Sequence, residues 1–169
     1  RETPFQVFHH IIEEGGIVKG IPVPSGENYS RKDLDNLTEV VKQYGAGALS
    51  WIRTLPEGGV RSSLPKVVTE SELERAAAQA GLERDQFLLM VAGVPSTVNA
   101  SLAALRIHLG QQLGLIPPDT YNFLWVYDFP LLEWDPEERR YVALHHPFTS
   151  PRDEHVPLLD TDPLKAVSY

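Results

Sequence analysis

"QFLLMVAGVPSTVNASLAALRIHLGQQLG", from Gln86 to Gly114, predicts a strand followed by a long amphipathic helix. The apolar run QFLLMVAG favours a strand over a loop. Pro95 suits the first turn of a helix, because its φ is already helical and its missing N–H needs no partner there. Apolar residues then recur on one side of the helix, at Val98, Leu102, Leu105, Leu109 and Leu113, and Gly114 marks its end.

Two further helices are predicted upstream by capping-box spacings. Ser30 and Asp33 open the segment SRKDLDNLTEVVKQYG, in which apolar residues share one helical face: Leu34, Leu37, Val40, Val41 and Tyr44. Thr69 and Glu72 repeat the spacing before SELERAAAQAG, which carries a narrow apolar stripe. Both helices therefore have a start signal and a face to bury.

The segments between the helices predict a small sheet. GGIVKGIPVP (15–24) and GALSWIRTL (47–55) are strand candidates, and residues 64–68 are a weaker one. The order of elements favours the α+β class, as a two-layer domain in which a small sheet carries helices on one face. Two prolines in GLIPPDTY rule against a continuing helix, so a boundary is expected near Pro118, with domains at 1–118 and 119–169.

Composition narrows the classes of function. The chain has no cysteine, which excludes disulfides, thiolate metal sites and cysteine nucleophiles. A net charge of -8 argues against a surface built mainly to wrap a nucleic acid backbone. No run approaches the roughly 18 apolar residues that cross a bilayer, and the first residues contain no apolar signal region. A cytoplasmic protein without a membrane partner is expected.

The stretch "FLWVYDFPLLEWDPEERRYVALHHPFTSP", residues 123–151, predicts an antiparallel hairpin. β-formers flank the turn residues DPEE, and Pro136 suits the second turn position. With a loop at 135–138, Trp134 lies opposite Arg139, and counting outward places Asp128 opposite His145. A carboxylate beside this imidazole would orient it and favour its protonated form, which suits an anionic ligand.

The two adjacent histidines are expected to differ in role. Neighbouring strand residues point to opposite faces, so His145 and His146 cannot both face one ligand on a regular strand. A zinc site is not expected, because two neighbouring histidines lack a third ligand. His9 and His10 are expected to face solvent on a short helix. Trp51 and Trp125 are expected in the core rather than as stacking platforms.

The quoted stretch, with the following LLDTDPLKAVSY, resembles the region of bacterial-type aspartyl-tRNA synthetases that re-enters the class II catalytic domain, with signatures F-x-W-V-x-D-F-P and H-H-P-F-T-x-P. Upstream, FQVFHHIIEEGGIVKGIPVP, SRKDLDNLTEVVKQYGAGALSWI and NASLAALRIHLGQQLGL resemble the insertion domain of these enzymes. A related insert, the GAD domain, occurs in the tRNA-dependent amidotransferase B subunit. The resemblance implies that the hairpin belongs to a class II catalytic sheet.

In that family, ATP and Mg²⁺ serve to activate L-aspartate, which is then transferred to tRNA(Asp) by a homodimeric enzyme. The resemblance implies that His145 contacts the bound aspartate, with His146 beside it. Asp128, Phe129 and Pro130 match the D-F-P signature and are expected to support the site rather than perform chemistry. No metal ligand and no catalytic residue is expected in this chain.

The chain also departs from the family. The ATP-binding arginine in an F-R-D-E setting and the later arginine in G-L-D-R are absent from the sequence. The chain therefore resembles an internal fragment, expected to be inactive alone and to bind no ATP, because adenylyl chemistry needs positioned charges around the triphosphate. The alternative is a non-catalytic tRNA-binding or interaction module related to the amidotransferase B subunit insert, which leaves the H-H-P-F-T stretch unexplained.

Overall fold

The chain divides into two compact units, residues 1–117 and residues 118–169. The structure is a computed structural model that describes residues 6–24, 29–146 and 148–168. None of the helices in these ranges is both long and apolar enough to cross a membrane.

Within its described residues, the first unit is a four-stranded antiparallel sheet with four helices. Its elements are α1 (Gln6–Glu13), β1 (Ile17–Val23), α2 (Arg31–Lys42), β2 (Ser50–Thr54), β3 (Val60–Ser62), α3 (Glu70–Gln79), β4 (Phe87–Gly93) and α4 (Pro95–Gln112). The strand order is β1-β4-β2-β3, and each neighbouring pair is antiparallel. The predicted α+β class is confirmed.

One predicted strand of the first unit is wrong. Residues 64–68 form no strand, and the sheet instead gains β3 just before them. Pro65 explains the difference, since it has no N–H for a ladder, and its carbonyl accepts a hydrogen bond from the Val68 N–H at 3.0 Å to close a turn.

Strand β4 is buried on both faces. Phe87, Leu89 and Val91 pack in one apolar cluster with residues of α2 and α4, including Val41 and Leu105. The alternate residues Leu88 and Met90 pack in a second cluster with Ile52 of β2 and with Leu73 and Ala77 of α3. Helices α2 and α4 therefore share one face, as expected, and α3 covers the other face, which makes a third layer.

The predicted capping boxes of α2 and α3 are confirmed. The Asp33 carboxylate accepts hydrogen bonds from the Ser30 N–H at 2.8 Å and from its hydroxyl at 2.6 Å. The Glu72 carboxylate accepts from the Thr69 N–H at 2.9 Å and from its hydroxyl at 2.7 Å. The Ser30 hydroxyl is the main cause that lowers the pKa of Asp33, and the Thr69 N–H is the main cause that lowers the pKa of Glu72.

The second unit contains two small two-stranded sheets. Its strands are β5 (Phe129–Pro130), β6 (Leu132–Asp135), β7 (Arg140–Ala143) and β8 (Val167–Ser168), and its one α-helix in the described ranges is α5 (Leu158–Thr161). Strand β5 pairs with β8, and β6 pairs with β7, in both cases antiparallel. Short 3₁₀ turns lie at Asp153–His155 and Pro163–Lys165.

The β6–β7 hairpin has a different register from the predicted one. Trp134 lies opposite Tyr141, not Arg139, and Asp135 lies opposite Arg140. The Asp135 carboxylate accepts hydrogen bonds from the N–H groups of Glu137 and Glu138, at 2.9 and 3.0 Å. Asp135 therefore stays in the strand, and the turn occupies 136–139. The predicted pairing of Asp128 with His145 is therefore wrong, because the register shifts by two residues and Asp128 lies outside the hairpin.

The two capping boxes predict an acid-sensitive component of stability. A carboxylate whose pKa is lowered in the folded state stabilises it above the unfolded pKa, and this contribution is lost as pH falls through the folded pKa. We expect the urea midpoint of the double variant Asp33→Asn, Glu72→Gln to fall less than that of the unaltered chain between about pH 5 and about pH 3. Both amides keep an acceptor oxygen for the cap but do not titrate.

Glu57→Gln is the matched control, since Glu57 is exposed in the turn between β2 and β3, outside both capping boxes. This variant should follow the acid profile of the unaltered chain. Equal losses of midpoint in the double variant and the unaltered chain would contradict the assignment.

Candidate functional site

The second unit holds the predicted site residues on a frame of backbone hydrogen bonds. Phe129 of β5 lies opposite Ser168 of β8, and the buried Ser168 hydroxyl donates to the Phe129 carbonyl at 3.3 Å. Leu131, which follows β5, donates its N–H to the Ala166 carbonyl at 3.0 Å. The Leu131 carbonyl accepts a hydrogen bond from the Leu144 N–H at 3.2 Å. The frame therefore joins β5 to both β8 and the residue that precedes His145.

His145 is half-buried against an aromatic ring. The Phe129 and His145 ring centroids are 4.3 Å apart with an interplanar angle of 65°, an edge-to-face arrangement. The Nε2 atom of His145 is buried and has no hydrogen-bond partner among the described residues. An unsatisfied buried polar atom costs about 1–3 kcal/mol, so a ligand that reached Nε2 with a polar group would recover part of this cost.

His146 has a different environment. It is exposed, its Nδ1 accepts a hydrogen bond from the Phe148 N–H at 3.4 Å, and its ring lies 4.7 Å from the Phe148 ring. Both histidines follow the end of β7 at Ala143, so the alternation of a regular strand does not apply to them. Their unlike roles remain a prediction that now depends on their separate contacts.

Asp128 forms an ion pair with an arginine that the sequence analysis did not single out. Its Oδ1 lies 2.5 Å from Nη2 of Arg152, and Nη1 of Arg152 lies 3.8 Å from Oε1 of Glu154. Asp128 adopts a left-handed φ of 57°, which Asp tolerates better than most residues. Because the Asp128 side chain is about half exposed, the pair adds little stability. Its consequence is positional, since it connects the start of the D-F-P signature with the segment after residue 151.

Sequence reasoning missed two residues that hydrogen-bond to this backbone frame, His155 and Arg152. The Val167 N–H donates to Nδ1 of His155 at 3.3 Å, and the Arg152 N–H donates to the Val167 carbonyl at 3.0 Å. Both residues lie in PRDEH, the polar run after the H-H-P-F-T stretch. The position of this polar run, directly after the histidine stretch, was the sequence signal that could have identified both residues. Pro130 lies opposite Val167 and is exposed, where its lack of an N–H is tolerated at a strand edge.

The other candidate residues are dispersed. His9 and His10 are exposed on α1, as expected, and lie 3.2 and 3.3 Å from Glu13 and Glu14. The described ranges contain no group of three or more His, Cys, Asp or Glu residues that could hold a metal ion. The residues of this chain that the structure describes therefore do not fit a Mg²⁺ site by themselves.

The aromatic run before β5 contradicts one expectation. Trp125 is 93% exposed rather than in the core, and Phe123 is 95% exposed. Residues 121–127 form no strand, so these rings are not held in a sheet of the described residues. Trp51, in contrast, is half-buried and packs against the core of the first unit.

Comparisons with known proteins cover both units. A family model described as the GAD domain matches residues 8–102. The chain is 53% identical over 166 residues to an aspartate–tRNA(Asp/Asn) ligase of Nitratidesulfovibrio vulgaris, a match that covers 98% of the chain and 26% of the relative. It is 44% identical over 165 residues to an aspartate–tRNA(Asp/Asn) ligase of Halothermothrix orenii, covering 98% of the chain and 28% of the relative.

A third relative is an aspartate–tRNA ligase of Staphylococcus carnosus, 44% identical over 167 residues, with 98% of the chain and 28% of the relative covered. The chain thus spans about a quarter of the length of these relatives. The matches extend well past the GAD domain and include the residues around both histidines.

The two histidine environments predict separable spectroscopic effects. Phe129→Leu removes the ring next to His145 and should shift the His145 ring proton resonances, because an aromatic ring current acts over a few ångströms. Phe148→Leu is the matched control, since it should shift the resonances of His146 instead. Proton–carbon NMR spectra of the 169-residue chain measure both effects. A larger shift at His146 than at His145 in Phe129→Leu would show that the ring contacts are wrongly assigned.

Proposed function

This chain belongs to the GAD domain family, and from that premise we propose that it is an internal part of a bacterial-type aspartate–tRNA ligase. The support is the similarity to ligases over 98% of the chain, well beyond residues 8–102. In this proposal the GAD insertion domain spans residues 1–118, and residues 119–169 are a part of the catalytic domain; the two compact units divide one residue earlier. The longer protein is proposed to be a cytoplasmic homodimer.

The proposed reaction has two steps. The α-carboxylate of L-aspartate attacks the α-phosphorus of ATP, which forms aspartyl adenylate and releases pyrophosphate. A hydroxyl of the terminal adenosine of tRNA(Asp) then attacks the aspartyl carbonyl, and AMP leaves. This chain is proposed to contribute amino acid binding to both steps, and we assign no catalytic residue to it.

His145 carries the proposal for the amino acid site. Its buried Nε2 has no hydrogen-bond partner in the described ranges, and the edge-to-face contact with Phe129 holds its ring. A carboxylate is a strong acceptor for an imidazole N–H, and a hydrogen bond to a charged group is stronger than a neutral one. We therefore propose that His145 binds a carboxylate of L-aspartate, with His146 beside it as the lesser contact.

The residues around His145 are proposed to position it. Phe129 contacts the imidazole, and Ser168 fixes the Phe129 carbonyl from the opposite strand. Asp128 acts through its ion pair with Arg152, and Pro130 through the β5–β8 pairing. A substrate would therefore meet a histidine whose ring is already oriented, which lowers the entropy lost on binding.

ATP and its Mg²⁺ are proposed to bind to other parts of the longer protein. Mg²⁺ would neutralise phosphate charge, and the described residues of this chain offer it no ligand cluster. The F-R-D-E and G-L-D-R arginines are also absent from the sequence. We accordingly propose that the 169-residue chain alone does not activate aspartate.

The second candidate, a non-catalytic tRNA-binding or interaction module, is less favoured. It would account for the GAD match at residues 8–102 but not for the similarity that continues through the H-H-P-F-T stretch.

The proposal predicts that His145→Ala in the longer protein lowers kcat/KM for aspartate about tenfold or more, with a much smaller change in the KM for ATP. The reason is the loss of a hydrogen bond to a charged group, worth about 1.5–3 kcal/mol. Aspartate-dependent ATP–pyrophosphate exchange measures both constants. His146→Ala should reduce the exchange rate less, because His146 is exposed and contacts Phe148.

His9→Ala is the control, since His9 is exposed on α1 in the first unit. An unchanged KM and kcat for aspartate in His145→Ala would refute the assignment. The 169-residue chain serves as the negative sample, and aspartate-dependent exchange by it would contradict its proposed inactivity.

A further inference from the structure

A cleft of about 630 Å³ lies in the first unit, where the start of α2 meets β2 and β3. Its lining combines three arginines with three aromatic residues: Arg31, Arg53, Arg61, Tyr29, Trp51 and Phe87. Trp51 and Phe87 belong to the same face of the sheet as the cluster packed against α2 and α4. All of its lining residues belong to the first unit, whereas the histidine site is formed by residues of the second unit.

The arginines of the cleft are unusual because two of them oppose each other. Arg53 of β2 lies directly across from Arg61 of β3, and like charges at such positions repel. Arg53 is partly neutralised by Asp85, with Nη2 and Oδ1 2.8 Å apart. Arg31 and Arg61 are exposed and have no ion pair within the described residues. The one acidic residue in the lining is Asp35. With Arg53 paired to Asp85, Arg31 and Arg61 face the single charge of Asp35, so the lining keeps one more positive than negative charge in a chain whose net charge is -8.

The aromatic part of the cleft is ordered by its own packing. Tyr29 and Trp51 each meet the Phe87 ring edge-to-face, with centroids 5.7 and 5.5 Å apart. The Arg53 guanidinium carbon lies 5.7 Å from the Phe87 centroid, within reach of a cation–π contact. The half-buried Trp51 ring thus lines the same cleft as the three arginines. An apolar ring beside cations suits a ligand that joins a planar group to an anion.

Two polar atoms of the cleft residues also lack a hydrogen-bond partner. The Tyr29 hydroxyl and Nε of Arg53 are buried and unbonded in the part of the chain that the structure describes. Burial, assisted by the nearby Asp33 charge, raises the pKa of Tyr29, so its hydroxyl remains a donor at neutral pH. Each such donor is costly unless a ligand or water satisfies it.

We propose that this cleft binds a nucleotide, with the phosphate between Arg31 and Arg61 and the base against Trp51. Guanidinium groups match phosphate geometry, and aromatic side chains stack on bases of either unpaired RNA or free nucleotides. The phosphate would also relieve the repulsion between Arg53 and Arg61. An anion without a base would leave the aromatic part of the cleft unused.

The test measures binding to the 169-residue chain by isothermal titration with three probes. AMP carries a base and a phosphate, ribose 5-phosphate lacks the base, and a six-nucleotide single-stranded RNA presents the same groups within a strand. The variants are Arg61→Gln and Trp51→Leu. Arg75→Gln is the matched control, because Arg75 is exposed on α3, across the sheet from the cleft.

We expect Arg61→Gln and Trp51→Leu each to weaken binding of AMP or RNA about tenfold, and Arg75→Gln to have no effect. With RNA, Arg61→Gln should also reduce the slope of log K against log salt by about 0.7, the value for one phosphate contact on a single strand. The Tm without ligand should not fall in Arg61→Gln, since the substitution removes a repulsion.

The remaining outcomes separate the sources of the nucleotide from failure of the proposal. RNA binding at least tenfold tighter than AMP binding assigns the site to an unpaired residue of a strand, and equal or tighter AMP binding assigns it to a free nucleotide. Ribose 5-phosphate binding as tightly as AMP would overturn the proposal, and this comparison needs no variant. Equal losses in Arg75→Gln and Arg61→Gln, or no binding of AMP and RNA, would also overturn it.

Discussion

The burial of β4 on both faces is the constraint on which the first unit depends. A strand that presents Phe87, Leu89 and Val91 on one side and Leu88 and Met90 on the other needs a cover for each side. Helices α2 and α4 cover the first side, and α3 covers the second. These five side chains thus remove apolar area from water, which is the main favourable term in folding. The capped starts of α2 and α3 fix where these covers begin.

The same arrangement explains why a polar cleft exists beside an apolar core. On the side that α2 and α4 share, Leu89 and Val91 are buried with helix residues, while Trp51 is only half-buried beside them. Arg53 and Arg61 continue this side onto β2 and β3, where charged side chains remain in contact with water. The packed core supports the sheet, and the cleft lies at the edge of its first face.

The parts that sequence reasoning predicted best are those governed by local chemistry. The capping boxes and the Pro95 start of α4 depend on residues within one turn, so their signals survive in the fold. The predicted hairpin register is wrong because the Asp135 carboxylate accepts hydrogen bonds from two turn N–H groups, which keeps Asp135 in its strand. Residue spacing does not show which distant side chains meet, so it did not indicate the ion pair of Asp128 with Arg152. For the same reason it did not indicate that Trp125 is exposed. The prediction that all helices share one face is wrong for α3, because a continuous apolar strand does not show which helix covers which side.

The assignment of His145 to a substrate carboxylate is tested most directly by titrating the longer protein with L-aspartate while the ring resonances of its histidines are followed by NMR. We expect a saturable shift of the His145 resonances, with a smaller shift at His146 and none at His9, and an apparent Kd that matches the one from binding calorimetry. L-aspartate binding detected by calorimetry with no change at His145 would show that His145 does not bind the substrate carboxylate.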